Sequence, residues 1–580
     1  MRLRARFWPT GGTAWFVFVV SLSLLLPFAF PVFPSQDGPS HIGTSAILNR
    51  LLLLRDPLFA AFFIALPPST NSLIHYIGMP LVLLFRARLA EEIIVSGLIA
   101  GGALAIWSCA RAEKAPNAWI CAFAGPAAYG KALYAGNYNF ILGFIFYFLI
   151  LRATIMAAGR FDIRRGGWLA VLLLLAALSH PVGAVFAMAG CGVLHVWNAW
   201  LAAGATAGAR RSAAIAQRML VPALAAVPAL LLLGFYLASH WDAAAEQGAG
   251  VRYGVQLSVR LKRLVGLGQL YTVDNWQIIV CGAGALCLIV LFGLTLRERL
   301  RAFRANGVHE LADGLLLVAM TMLVLYLAIP DGGAGAGYIA ARLDLVPWLV
   351  VLIWLATRDL GPIARAAAIM LVGPVGLALL VTNALAIAKV QPELALLRQA
   401  EALLAPGSTV LEISARGKPI YRFPGQGYLQ NDPFEHMQHY VAADRGIVML
   451  NNWNAHFPGF PIHFRYDADP YRFFAPADLF DMDLAAYETE TGHAIDAILI
   501  LAATPSDLER EHGALLATLR RLYCPRAIPA TVGTMFVHHA ADGSCPPAVT
   551  STGAARERPG SGPDPARAPS PPSPPRESAD

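Results

Sequence analysis

The stretch TAWFVFVVSLSLLLPFAFPVF, residues 13–33, decides the fold class of this chain. It is 21 residues long, contains no charged residue and follows Arg2, Arg4 and Arg6. About 20 apolar residues in a helix span the hydrocarbon core of a bilayer. The apolar core of a signal peptide is shorter, and it ends in a small-x-small cleavage site that this stretch lacks. We therefore predict a retained first transmembrane helix at this position.

The composition extends this prediction to most of the chain. Of its 580 residues, 57% are hydrophobic and 14% are charged, whereas a soluble domain is typically about 25% charged. The uneven hydropathy predicts a transmembrane domain at 1–390, a soluble domain at 391–549 and a disordered Pro- and Ser-rich tail at 550–580. The net charge of +7 is typical of basic cytoplasmic loops, so we expect the lipid bilayer, and no nucleic acid, as a partner.

Apolar runs predict a polytopic α-helical protein with about eleven transmembrane helices. Their expected boundaries are 12–34, 93–110, 116–131, 138–154, 166–180, 182–203, 218–239, 276–296, 310–330, 343–357 and 363–388.

Basic residues between these runs orient the chain. With the N-terminus in the cytoplasm, every predicted inside segment carries Arg or Lys, as the positive-inside rule requires. This holds only if residues 71–85 do not cross the membrane, which leaves 35–92 as one long outer loop with interfacial helices at 42–54 and 72–85. The odd number of crossings then places the C-terminal domain outside. The inside residues are Arg111, Lys114, Arg152, Arg160, Arg164, Arg165, Arg210, Arg211, Arg218, Arg297, Arg299, Arg301, Arg304, Arg358 and Arg365.

Short β-like runs alternate with polar helical stretches in residues 391–549, which predicts a small α/β or α+β domain. Cys524 and Cys545 lie in this part, and they can form a disulfide if the domain faces an oxidising compartment. The predicted strands are 409–414, 446–451, 497–501 and 534–538, and the predicted helices are 433–443 and 505–523.

The segment QDGPSH, residues 36–41, follows the first helix directly. Asp37 and His41 are spaced i, i+4, so a helix that begins near Pro39 would point both side chains toward one site. Two interpretations of Asp37 are open. It either caps this helix or offers a carboxylate for chemistry at the membrane surface.

This arrangement resembles the GT-C superfamily of membrane glycosyltransferases, which use a polyprenyl-phosphate-linked sugar. The shared features are an N-terminal helix, a long outer loop with juxtamembrane helices, an acidic residue early in that loop (Asp37), and Pro67-Pro68 before the second juxtamembrane helix. The chain is also similar to bacterial membrane proteins that carry a Gln-Asp-Gly-Pro-x-His segment and a late region like HYVAA, 439–443, and NNWNAHFP, 451–458.

The resemblance implies an enzyme of the bacterial inner membrane that works on the outer face, with a periplasmic C-terminal domain. It implies that a sugar moves by inverting direct displacement from a polyprenyl-phosphate donor to a lipid, glycan or protein acceptor, with Asp37 as base. The candidates for binding the donor phosphate are Lys131, Arg252, Arg260 and Arg342. The candidates for substrate binding are His41, His75, Tyr134, Asn137 and His180.

The chain departs from the family in its second outer loop, 131–137, which contains no carboxylate. One carboxylate seldom holds a divalent cation alone, so we assign no metal site and leave a cation requirement open. Some candidates also have a structural interpretation. Arg342 can be an interfacial anchor that snorkels, His180 a water-facing corner, and the aromatic stretch 453–460 either a sugar-stacking surface or a packed loop.

Two other functions compete with the glycosyltransferase hypothesis. A transporter or flippase of lipid-linked saccharides would show internal repeats and charged residues deep inside helices, whereas most helix interiors here are wholly apolar. The third hypothesis is a non-catalytic membrane scaffold whose outer domain binds a partner.

Overall fold

A computed structural model describes residues 8–546 with gaps, and these residues belong to one compact unit. Features of the sequence analysis that lie outside the described part include the phosphate candidate Arg252, the inside residue Arg160 and the tail from 550 onward. The internal segments outside it are 159–160, 204–208, 247–254, 271–274, 333–338, 415–432, 458, 474–481, 502–504, 527, 529–532 and 540–542.

Seven helices of the described residues are long and apolar enough to cross a membrane, which makes the chain a multi-pass helical membrane protein. Helices suit this environment because they satisfy their backbone hydrogen bonds internally. In the last helix, a π turn at Leu371–Val375 accommodates Pro374. The seven are Gly12–Ala29, Ala87–Ala112, Tyr138–Ala157, Pro181–Ala202, Arg211–Ser239, Trp276–Asn306 and Pro362–Glu401.

The count of eleven spanning helices is not confirmed, because four of the predicted runs form shorter helices. The run at 116–131 is divided into Ala118–Phe123, a 3-10 helix, and Ala124–Ala127. The other three have 17, 16 and 11 residues, fewer than the roughly 20 that a full span needs. They are Ile163–Ser179, Asp313–Ala328 and Val346–Ala356.

The long loop after the first helix is helical where the sequence predicted it. Gly38–Leu52 and Leu73–Leu84 pack against each other, and Pro57–Phe62 lies between them in the chain. Asn49 Nδ2 donates to a backbone carbonyl of the second helix at 2.8 Å, and Ser45 Oγ donates to another at 3.0 Å. These bonds hold the two helices together beside the membrane bundle.

The C-terminal part contains a five-stranded mixed sheet, and all four predicted strands are present in it. The first three strands run parallel and the last two pairings are antiparallel. The strand at residue 523 replaces the end of a predicted helix. Across the sheet the order is Val448–Met449, Thr409–Ser414, Ala497–Leu501, Gly533–His538 and Tyr523–Arg526.

The last membrane helix continues into the C-terminal part and bears on the predicted domain division. Gly376–Glu401 runs across the predicted boundary at residue 390, and the three-part division of the chain stays a prediction. Cys524 and Cys545 form a disulfide. The helices after the bundle are Gln438–Arg445, Trp453–His456, Leu484–Thr491, Pro505–Glu511 and Gly513–Leu522, with 3-10 turns at Tyr466–Ala468 and Pro470–Arg472.

A second, two-stranded sheet ties the C-terminal part to the first loop. Phe63–Ala65 pairs antiparallel with Ile462–Phe464, and the rings of Phe63 and Phe464 stack with centroids 4.9 Å apart. Both phenylalanines are buried. The strand pairing therefore joins residues that are about 400 positions apart in the chain.

Buried charges join helices at one end of the bundle. Asp313 accepts from Arg299 at 2.9 and 2.5 Å and from Arg358 at 3.2 Å. Asn117 Nδ2 donates to the carbonyl oxygen of Arg358 at 2.7 Å. The helix Asp313–Ala328 begins at this charged end, and the helix Val346–Ala356 ends there.

Candidate functional site

A cavity of about 730 Å³ opens where the first loop, the bundle and the C-terminal part meet. Its polar lining includes five of the residues that the sequence analysis selected, and the rest of its wall is mainly apolar and aromatic. Those five are Asp37, His41, Asn137, His180 and Arg342. The further polar and aromatic lining residues are Asn71, Asn139, Phe140, Phe186, Tyr236, His436, Trp453, Asn454, Phe457 and Phe460.

Asp37 stands immediately before the helix Gly38–Leu52, but its side chain makes no capping hydrogen bond. The carboxylate instead lines the cavity, with 39% of the side chain exposed there. Its Oδ1 lies 3.7 Å from Nε2 of His436. Burial raises the pKa of Asp37 to about 6, although His436 and Arg342 nearby favour the charged form. The chemical interpretation of Asp37 thus fits the structure better than the capping one.

Two glycines allow the chain to pass closely on both sides of Asp37. A Cβ atom on Gly136 would lie 2.8 Å from the backbone nitrogen of Asp37, and the positive φ of +74° at Gly136 also favours glycine. A Cβ atom on Gly38 would collide with the carboxylate of Glu91. Close packing against Glu91 therefore explains why a glycine follows Asp37 in the QDGPSH segment.

His41 and His75 form a buried pair behind Asp37. His41 Nδ1 lies 2.9 Å from His75 Nε2, His41 Nε2 lies 2.9 Å from the carbonyl oxygen of Gly136, and His75 Nδ1 lies 3.2 Å from that of Ser72. Burial lowers the pKa of His41 to about 4 and holds the pKa of His75 well below its usual value. Two neutral imidazoles carry two N–H protons, so they satisfy the two shorter contacts. Both ring nitrogens of His41 are then engaged by protein, and its ring lines the cavity.

Arg342 ends the 3-10 turn Ala340–Arg342 and is half-buried. Its guanidinium lies 5.9 Å from the centroid of the Phe140 ring, and its charge interacts with that of Asp37. Arg342 and Phe140 also line a second cavity of about 120 Å³ inside the bundle. Apart from Arg342 and Gln269, that second cavity is lined only by apolar residues and glycine. Among the described residues, Arg342 is therefore the cation that the larger, polar cavity shares with the smaller, apolar one. We call the smaller cavity the apolar groove.

His180 caps the helix Pro181–Ala202, because its Nδ1 accepts from the backbone N–H of Val182 at 3.2 Å. Its ring meets Phe140 edge-on at 5.2 Å. Burial, together with the charge of Arg342, lowers the pKa of His180 to about 3, so the ring is neutral. His180 is thus a half-buried helix cap whose ring lies at the cavity.

The C-terminal part supplies one wall of the cavity. Trp453, Phe457 and Phe460 line it with their rings, and Trp453 is 40% exposed. Asn454 Nδ2 donates to Ser40 Oγ at 2.6 Å, which fixes this wall against the helix that follows Asp37. The aromatic stretch both packs against the first loop and presents ring faces to the cavity.

Four of the predicted residues lie outside the cavity lining. His75 is in the layer behind His41, and Tyr134 OH donates to Asn383 Oδ1 at 2.8 Å. Arg260 forms an ion pair with Asp331 at 2.9 Å and donates to carbonyls at the end of Asp313–Ala328. The charge of Lys131 interacts with Asp344 and Arg263. These geometries favour structural roles, while Arg342 alone of the described phosphate candidates reaches the cavity.

Sequence reasoning missed Glu91, which lies in the first turns of Ala87–Ala112 and is fully buried. Its Oε1 accepts from Ser35 Oγ and from Tyr138 OH, both at 2.5 Å, and its Oε2 accepts from Tyr440 OH. The carboxylate thus joins the loop before Asp37, a membrane helix and the C-terminal helix. The available signal was the pair of adjacent carboxylates, Glu91 and Glu92, in the first turns of a largely apolar helix.

Replacing Glu91 tests this connection. We expect Glu91→Leu to lower the free energy of unfolding by about 3 kcal/mol, because three buried hydroxyls lose their acceptor. Hydrogen exchange should rise in the helix Gln438–Arg445. Glu91→Gln is the matched control, since it keeps the shape and one acceptor oxygen, and it should cost about 1 kcal/mol or less. Equal protection of this helix in the Leu variant and the wild type would contradict the prediction.

Among the described residues, groups of side chains with metal-ligand geometry are confined to the C-terminal part. The one group of three candidate ligands there is Cys524, His539 and Cys545, and two of its three members are joined by the disulfide. Near Asp37 the described part of the chain supplies His436 but no third ligand atom in a compact cluster. A divalent cation at the cavity is therefore not assigned.

No protein-family model matches this chain, and no significant match is found among the curated proteins.

Proposed function

We propose that the protein is a membrane glycosyltransferase of the GT-C type, which transfers a sugar from a polyprenyl-phosphate donor to an acceptor. One observation carries the proposal. The carboxylate of Asp37 and the guanidinium of Arg342 line the same cavity, and Arg342 also lies at the end of an apolar groove within the bundle. A base, a phosphate-binding cation and a lipid-compatible groove are what this reaction requires.

The smaller cavity suits the lipid chain of such a donor, and the larger cavity suits its sugar. The smaller cavity, lined by residues such as Ile99, Phe144 and Leu349, is apolar except at Arg342 and Gln269, which suits part of a polyprenyl chain. The larger cavity offers Asn71, Asn137 and the ring of Trp453 to sugar hydroxyls and ring faces. The phosphate would then lie at the junction, beside the guanidinium.

The proposed reaction is a single displacement. The Asp37 carboxylate takes the proton from an acceptor hydroxyl as its oxygen forms a bond to the anomeric carbon. The bond from that carbon to the phosphate oxygen breaks, and the polyprenyl phosphate leaves with the electron pair. Arg342 stabilises the negative charge that develops on the leaving phosphate. Attack opposite the leaving group inverts the anomeric centre.

We further propose that the chain also passes through the membrane at the four shorter helices, each together with the residues that flank it. Asp313–Ala328 begins at the buried charged end and finishes next to Ile329, which lines the cavity. Val346–Ala356 runs the opposite way, from just after Arg342 to just before Arg358. Ile163–Ser179 ends directly before the cavity residue His180, and Ala124 and Ala127 line the apolar cavity that Arg342 shares. Eleven passes then connect the same two ends of the bundle.

This arrangement supports a bacterial inner-membrane location with the N-terminus in the cytoplasm. The charged end is rich in arginine, as cytoplasmic ends are, and the disulfide Cys524–Cys545 suits an oxidising periplasm. A reporter joined after Leu54 or at Gly492 should be exposed to the periplasm. Cytoplasmic exposure of either reporter would overturn the orientation.

The function is tested with purified protein in proteoliposomes and a panel of hexosyl and pentosyl polyprenyl phosphates labelled in the sugar. We expect labelled sugar to become covalently joined to an acceptor and an equal amount of unlabelled polyprenyl phosphate to appear. A flippase would instead move the intact labelled lipid between leaflets with no bond broken. Intact donor after incubation with lipid, glycan and protein acceptors would contradict the enzyme.

The pH dependence follows from the raised pKa of Asp37. The base must be deprotonated, and burial raises its pKa to about 6, so activity is present above this pH and is lost as the pH falls through it. We expect kcat/KM to fall about tenfold for each pH unit below pH 6. A profile that is flat from about pH 5 to pH 7.5 would contradict Asp37 as the base.

A further inference from the structure

A third cavity, a cleft of about 580 Å³, lies where the helix Gln438–Arg445 meets the ends of the membrane helices. It shares no lining residue with the Asp37 cavity. Its walls come from Val32 after the first helix, from residues 82–88 and from the end of Gly376–Glu401. The cleft is therefore formed jointly by the membrane bundle and the C-terminal part.

Charged side chains dominate this cleft. Four arginines and two carboxylates line it, which leaves a formal charge of +2 (four minus two). They are Arg86, Arg88, Arg398, Arg445, Glu401 and Asp444.

Several of these charges already have protein partners. Arg88 pairs with Glu92 at 3.2 Å, and Arg445 donates to two backbone carbonyls at 2.7 and 2.8 Å. Asp444 Oδ1 accepts from the first backbone N–H of Ala87–Ala112 at 2.8 Å. By contrast, among the described residues neither Arg86 nor Arg398 forms an ion pair within 4 Å, although the charge of Arg398 also interacts with that of Glu401. Two cations of the cleft are thus available for an external anion.

The cleft also has an apolar edge. Val82, Leu83, Leu84 and Phe85 line it together with the arginines, and Leu83 and Leu84 are 50% and 74% exposed. These residues end an interfacial helix and precede a membrane-spanning one. Cations beside exposed apolar side chains at a membrane surface match an amphiphile, with a phosphate next to acyl chains. A small soluble phosphate would gain nothing from that edge.

We propose that this cleft binds the headgroup of an anionic phospholipid, with Arg86 and Arg398 on the phosphate and residues 82–85 against the acyl chains. This site is independent of the proposed glycosyl transfer. It also has a structural consequence. Tyr440 lines the cleft and donates to Glu91, so a bound lipid braces the C-terminal helix against the bundle.

The test measures lipid binding to the full-length protein in detergent by native mass spectrometry, with phosphatidylglycerol as the probe. Removing both cations in R86A/R398A should weaken its apparent affinity by about fivefold for each arginine, the effect of one cation near an anionic lipid surface. The matched control R301A/R304A removes two exposed arginines at the far end of Asn275–Asn306 and should bind as the wild type does.

Three outcomes would overturn the site. They are unchanged affinity in R86A/R398A, equal loss in R301A/R304A, and binding of phosphatidylcholine as tight as that of phosphatidylglycerol. Soluble glycerol phosphate serves as a further probe, and affinity equal to that of the lipid would assign the site to free phosphates instead. If the double variant does not fold, R398A alone provides the same test, with an expected loss of about fivefold.

Discussion

The Asp37→Asn protein should transfer sugar about a thousandfold more slowly than the wild type, within the range that a general base contributes. The amide has nearly the same size as the carboxylate but cannot accept the acceptor's proton at neutral pH. Asp37 makes no capping hydrogen bond to the helix that follows it, so the substitution removes no bond that the helix needs. We therefore expect the thermal unfolding midpoint to stay close to that of the wild type.

Asp56→Asn is the matched control for this experiment. Asp56 lies in the same loop, accepts from Leu58 N at 3.0 Å as the cap of Pro57–Phe62, and accepts from Arg50 at 2.7 Å. Asn also caps helices, and its amide oxygen still accepts hydrogen bonds. It does not line the cavity, so transfer should be unchanged. Wild-type rates in Asp37→Asn would remove Asp37 as the base. A similar loss in both variants would attribute the effect to the loop rather than to the carboxylate.

Arg342→Ala should lower kcat/KM for the lipid-linked donor by about 10²- to 10³-fold, the usual effect of removing one group that stabilises developing charge. Arg342 is the cation shared by the polar cavity and the apolar groove. If it stabilises the leaving phosphate, kcat falls as well as donor affinity. If it only binds the donor, KM rises and kcat stays unchanged.

Two further variants separate this effect from a loss of charge in general. Arg342→Lys keeps a cation but lacks the planar fork of the guanidinium, and it should recover part of the activity. Arg301→Ala removes an exposed arginine at the far end of a membrane helix and should leave kcat and KM unchanged. Full activity in Arg342→Ala would refute a role for this residue in the reaction and leave it as an interfacial anchor.

The membrane fold could be predicted because its signals are local. An apolar run such as 13–33 or 138–154 demands a helix wherever it lies in the chain, since lipid cannot satisfy free backbone groups. The strands at 409–414 and 497–501 were likewise visible as short β-branched and apolar runs. The boundaries of the shorter membrane helices were less accessible, because 3-10 turns and prolines end a helix within an apolar run.

The candidate site was predicted only in part. Asp37 and His41 are four residues apart, and a helix brings such a pair to one side. His180 and Arg342 were suggested by their places at helix ends. Lys131 and Arg260 were suggested as basic residues of predicted outer loops, yet the first interacts with Asp344 and the second pairs with Asp331. The local sequence does not distinguish a cation that faces a cavity from one that belongs to a buried ion pair.

By itself, the sequence determined a multi-pass helical bundle, a helical loop after the first helix and an acidic residue at the start of that loop, because hydropathy and helical spacing act over a few turns. Tertiary structure alone decided which side chains share the cavity. His436 lies 3.7 Å from Asp37 although 398 residues separate them in the chain, and Glu91 meets Tyr440 across a similar distance in sequence. Such contacts depend on how whole elements pack, and packing depends on the complementary shapes of many side chains together.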